Sequence, residues 1–105
     1  MTLRHVVTWK LAETDATVKA EQIARIRSGL ESLPALVSEI RTLEVGVNDV
    51  APAQNWDVVL IADYDDADAL ARYVEHPEHQ KVAGYIRSVV SERSSVDFVV
   101  VRRVE

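Results

Sequence analysis

The chain has 105 residues, the size of one compact domain, and 48% of them are hydrophobic, which excludes wholesale disorder. Its 12 basic and 17 acidic residues leave a net charge of −5, which speaks against a nucleic-acid binder working through a basic surface. With no cysteine, disulfides, thiolate catalysis and cysteine-held zinc or iron–sulfur centres are excluded.

From Leu3 to Leu11 the residue types alternate. Leu3, His5, Val7, Trp9 and Leu11 share one parity, opposite Arg4, Val6, Thr8 and Lys10, which predicts a strand. Thr14 to Thr17 offers helix-capping side chains. Ile23, Ile26, Leu30 and Leu33 follow at helical spacing until Pro34 ends the helix. Ile40 to Val47 reads as a second strand, and Asn48 to Asn55 as a loop. Trp56 to Tyr64 is the third strand: Val58, Leu60, Ala62 and Tyr64 point one way, Val59 and Ile61 the other, between Asp57 and Asp63.

Asp65 or Asp66 caps a helix through Leu70, Tyr73 and Val74, which must break at Pro77 because His76 is pushed out of the α region. Pro77 suits the first position of a further helix carrying Val82, Tyr85, Ile86, Val89 and Val90. Val96 to Val104 is a fourth strand, apolar on both faces through Phe98, Val99, Val100 and Val101.

The order β-α-β-β-α-β is that of an α+β, ferredoxin-like fold with an antiparallel sheet, formed by residues 1–105 as a single domain. Its helices cover one face of the sheet, yet the third and fourth strands are apolar on both. Leaving those side chains in water forfeits about 1.5–3 kcal/mol each. A second copy packing its sheet against the open face resolves this, so a homodimer is expected. The start MTLRHVVTWK places His5 and Lys10 too early for a signal peptide, and no apolar run approaches the roughly 20 residues of a membrane span. The expectation is a soluble cytoplasmic protein with no nucleic-acid or membrane partner.

Three histidines are present, and two fall in the cluster Tyr73-Val-Glu-His76-Pro77-Glu-His79. His5 stands far off on the apolar side of the first strand. If Asp57, Val59 and Ile61 face the same side as His5, Val7 and Trp9, the sheet offers the apolar floor of a small-molecule pocket. His79, near a helix start, is disfavoured as imidazolium, and a Tyr73 hydroxyl beside it can hold an enolate oxygen or orient the ring. The same two side chains can equally serve the turn by bonding each other or the backbone. His76-Pro77 reads as a structural turn, and Trp9 and Trp56 as core or interface aromatics. His5, Asp57, His76 and His79 include metal-ligand types but lack a diagnostic spacing, so no metal site is assigned.

The His5-Val-Val-Thr-Trp-Lys10 strand, the Asn55-Trp-Asp57-Val-Val-Leu60 strand and the Y-x-x-H-P-x-H core at Tyr73 to His79 resemble the stress-responsive A/B barrel (Dabb) family over nearly the whole chain. The resemblance implies a dimeric α+β barrel. One branch of that family, the plant polyketide cyclases, closes a poly-β-keto chain by intramolecular aldol chemistry without a metal or organic cofactor. On motif position Tyr73 and His79 match its catalytic pair, and His5 a first-strand histidine lining the pocket. Those cyclases carry a further histidine in the third strand, where this chain has Asp57. Besides a purely structural or interaction protein whose barrel is filled with side chains, two functions are compatible with these residues. One is a homodimer binding a small organic molecule through His5, Val7, Trp9, Asp57, Val59 and Ile61. The other is a cofactor-independent enzyme, of cyclase or small-barrel monooxygenase type, using Tyr73 and His79.

Overall fold

A computed structural model describes residues 1–101. β1 (Thr2–Leu11) leads into α1 (Ala16–Glu31), β2 (Thr42–Val47), β3 (Val58–Tyr64), α2 (Ala67–Glu75), α3 (Pro77–Val89) and β4 (Val90–Val100). The four strands form one antiparallel sheet in the order β2-β3-β1-β4, the expected ferredoxin-like arrangement.

Local chemistry explains the boundaries. Asp15 caps α1 by accepting the N–H groups of Thr17 and Val18, both at 3.0 Å. Asp66, rather than Asp65, caps α2 by accepting Ala69 N–H at 2.8 Å. His76 lies between α2 and α3 with extended backbone, φ −63° and ψ 133°, as the following Pro77 demands. Its imidazole Nδ1 accepts Glu78 N–H at 3.1 Å, so the same residue that ends α2 caps α3.

Differences from the sequence reading cluster at element ends. α1 stops at Glu31, and Pro34 sits instead in a short 3₁₀ turn over Leu33–Ala35. β4 begins at Val90 rather than Val96, because the polar stretch Ser91 to Ser95 pairs with β1 despite showing no apolar alternation. The proposed strand end at Val104 lies outside the described residues.

Register decides which face each side chain occupies. Val7 pairs with Leu60 and His5 with Ala62, so β1's odd residues share the helix-covered face with Val58, Leu60, Ala62 and Tyr64. That face holds the core, joined by Ile26 and Leu30 of α1, Ala69 and Tyr73 of α2, and Ile86 of α3. The open face carries Val6, Val59, Ile61, Val96 and Phe98, with Val96 60% and Phe98 44% exposed. The third strand is thus apolar on both faces, as expected. The fourth is apolar chiefly on its open side, since Arg93, Ser95 and Asp97 share Val99's face.

Candidate functional site

A cavity of about 460 Å³ lies between the covered face of the sheet and α3. β1 contributes His5, Val7 and Trp9, β3 Leu60, and α2 Tyr73. α3 adds His79, Ile86 and Arg87, and β4 adds Arg93. A hollow of about 490 Å³ beside Asn48, Trp56 and Val59 contains no histidine or tyrosine. The chemistry-bearing groups converge in the first.

Four rings form a continuous path through the core at one end of this cavity. His5 meets Tyr64 edge-on with centroids 6.3 Å apart, Tyr64 lies 5.1 Å from Tyr73, and Tyr73 lies 4.4 Å from His79. Tyr64 and Tyr73 are wholly buried; their hydroxyls lie close enough to perturb one another's ionisation, yet neither has a partner at full hydrogen-bonding geometry among the described residues. Burial pushes the Tyr73 phenol up to about 12 and raises that of Tyr64 further, so both remain O–H donors at neutral pH. A buried hydroxyl without a partner costs about 1–3 kcal/mol, which makes Tyr73, on the cavity wall, notable.

The two site histidines are oriented from Nδ1. His79 Nδ1 lies 2.9 Å from the carbonyl oxygen of Val74, which can only accept, so Nδ1 bears the proton and Nε2 keeps its lone pair. Partial burial lowers the pKa of His79; the Val74 carbonyl opposes this, while electrostatic repulsion from His5, Arg87 and Arg93 adds to the lowering. His79 is therefore a neutral ring with a basic Nε2 at pH 7. His5 directs Nδ1 at the carboxylate of Asp97, its cross-strand neighbour on β4.

The structure brings together His5, Val7, Trp9, Tyr73 and His79, and it separates them from three other candidates. Val59 and Ile61 do not line this cavity. They pair with Thr8 and Val6, one residue out of phase with Val7 and Trp9, and so emerge on the open face. Asp57 is also elsewhere: its carboxylate accepts Leu11 N–H at 2.8 Å and meets Lys19 Nζ at 2.9 Å, tying the end of β1 to α1. His76 is occupied in the helix cap. Among the described residues, no group of three or more His, Asp or Glu side chains is placed to hold a metal ion.

Tyr64, Asp97, Arg87 and Arg93 were not singled out in the sequence. The lone carboxylate of Asp97 within the apolar run Val96 to Val101 was the available signal, but only the β1–β4 register joins it to His5.

Comparison with known proteins agrees with this architecture. The family described as Stress responsive A/B Barrel Domain (Dabb) matches residues 3–100. An uncharacterized protein of Streptomyces coelicolor is 36% identical over 81 residues, covering 74% of this chain and 79% of the relative. A dimeric protein of unknown function and ferredoxin-like fold from Bacteroides fragilis superposes with a TM-score of 0.85 at 30% identity, over 92% of this chain and 94% of that one. The hydroxynitrile lyase of Passiflora edulis shares the fold at 13% identity, with a TM-score of 0.79 over 99% of this chain and 97% of the lyase. The chain belongs to the stress-responsive A/B barrel (Dabb) family.

Proposed function

We propose that this protein is a homodimer, packed sheet against sheet, whose subunits each bind a small organic molecule in the cavity between β1 and α3. The unpartnered Tyr73 hydroxyl carries the reading of the site: a wholly buried donor on the wall of a largely apolar cavity, beside a histidine with a free Nε2. A shift of the Tyr73 ring or its neighbours would open the hydroxyl, which has no accessible surface here, to a ligand oxygen, with His79 Nε2 left for a second hydrogen bond. Val7, Trp9 and Leu60 would hold the ligand's apolar body. For the dimer, the support is the exposed Val96 and Phe98 on the open face and the dimeric state of the Bacteroides fragilis relative.

A thermal-shift screen of small carbonyl compounds and phenols tests the binding reading. Saturation at about a hundredfold above Kd stabilises by about 2.7 kcal/mol. His79→Ala should weaken the affinity of any hit by about 1–2 kcal/mol, the scale of one lost hydrogen bond. Hits whose affinity is indifferent to both His79→Ala and Tyr73→Phe would contradict the site.

A second reading, an enzyme, draws on the protonation states of the same pair. Neutral His79 would take a proton from carbon next to a carbonyl, and Tyr73 would donate to the enolate oxygen. His79→Ala would then lower turnover by roughly 10²–10⁴ with little change in binding.

A further inference from the structure

The cavity contains two cations that the reading above leaves unused. Arg87, near the end of α3, and Arg93, near the start of β4, both line it, and Arg93 is the cross-strand neighbour of Trp9. Among the described residues, most arginines and lysines have acidic partners. Arg4 pairs with Asp63, Arg41 with Asp65, Arg72 with Glu39 and Lys19 with Asp57. Among the described residues, neither Arg87 nor Arg93 has a carboxylate within ion-pair distance, and Arg93 donates only to Ser95 Oγ at 3.3 Å. The carboxylate that does belong to this neighbourhood, Asp97, is engaged by His5.

We infer that the cavity selects small organic acids, with the ligand's carboxylate held by Arg87 and Arg93, its ring or chain lying on Trp9 and Val7, and its far end reaching Tyr73 and His79. This rests on the proposed ligand-binding reading and adds the ligand's charge. A chain of net charge −5 does not attract anions by its overall field, so such selectivity must come from a local pair. Guanidinium groups suit the task because their planar donors match a carboxylate two at a time. Helical side chains lean toward the N-terminus, which aims Arg87 back along α3 toward the His79 end. The positive fields of Arg87 and Arg93 at His79 are consistent with that closeness.

Calorimetric titration with 2-naphthoate and its neutral isostere 2-naphthamide tests the inference. Wild-type protein should bind the acid about tenfold more tightly than the amide, with a preference that shrinks as salt rises from about 50 to about 500 mM. Arg87→Gln and Arg93→Gln, both at exposed positions, should each weaken the acid roughly three- to tenfold and leave the amide unchanged. Equal binding of acid and amide overturns the inference while the cavity reading stands. A preference for the acid that survives the double Gln variant also overturns it. Failure of both probes to bind at millimolar concentration brings down the cavity reading and this inference with it.

Discussion

Tyr73 and His79 pack ring against ring at the corner between α2 and α3, with centroids 4.4 Å apart and planes inclined at 47°. The corner itself is built by His76 and Pro77, which stop one helix and start the next. The Tyr-x-x-His-Pro-x-His spacing therefore has a division of labour. His76 and Pro77 make the turn, and the turn carries His79 back onto the ring of Tyr73 beside the cavity.

Removing the Tyr73 hydroxyl separates a structural from a functional role. Because that hydroxyl is buried without a partner, Tyr73→Phe should leave folding stability unchanged or raise it by about 1–2 kcal/mol in urea denaturation. Ligand affinity or turnover should fall at the same time. A loss of stability would mean that the hydroxyl serves the fold.

The pH dependence of stability follows from His79. Its pKa in the folded protein lies below the ordinary 6.5, chiefly because the ring is partly buried, so the unfolded chain takes up that proton first as pH falls. The stability contributed by neutral His79 is complete above the unfolded value and is lost as pH drops through the folded one. Tm should therefore decline as pH falls below the ordinary value of 6.5, and His79→Gln should flatten that limb. Asp63, held below the usual carboxylate range by hydrogen bonding to the Arg4 guanidinium, acts in a separate window. Its contribution is present above the ordinary value of 3.8 and fades below it.

Neighbouring residues on β4 test the dimer because they emerge on opposite faces. Phe98, paired with Arg4, points to the open side, whereas Val99 pairs with Leu3 on the covered side. Phe98→Lys places a cation on the open face beside Arg4 and should shift sedimentation from dimer to monomer at micromolar concentration. Val99→Lys lies near Asp65 and Asp66 and should keep the dimer. Wild-type protein sedimenting as a monomer would contradict the assembly.

Asp57 belongs to the fold, with a predicted effect to match. Asp57→Ala leaves Leu11 N–H without its acceptor and Lys19 without its partner, and should cost about 1–3 kcal/mol in denaturation. Asp57→Asn, which keeps an acceptor for Leu11, should recover part of that loss. Neither change should alter ligand affinity, since Asp57 does not line the cavity.

Much of this architecture was legible in the residues. Parity within β1 and β3, the break at Pro77 and the approach of Tyr73 to His79 follow from local rules of pleat, proline and helix capping. The assignment of Val59 and Ile61 to the pocket failed at the step where local rules end. Both parities of β3 are apolar, and only the pairing of Val7 with Leu60 decides which one faces the helices. The early start of β4 was hidden for a related reason. An edge strand with polar residues on both sides has no alternation to read, so Ser91 to Ser95 carries no strand signal of its own. Asp97 and Arg93 entered the site picture only through that pairing.

The central claim, that the cavity beside Tyr73 and His79 is the ligand site, is tested most directly by the chain's two tryptophans. Trp9 lines that cavity, and Trp56 lines the separate hollow beside Val59. Their indole N–H signals can be followed by NMR during titration with 6-hydroxy-2-naphthoate, whose far hydroxyl can accept from Tyr73, with a Trp56→Phe variant to assign them. The account predicts a saturable shift of the Trp9 signal that is weakened in Tyr73→Phe, while the Trp56 signal stays in place. A saturable shift of Trp56 with Trp9 unmoved would contradict it.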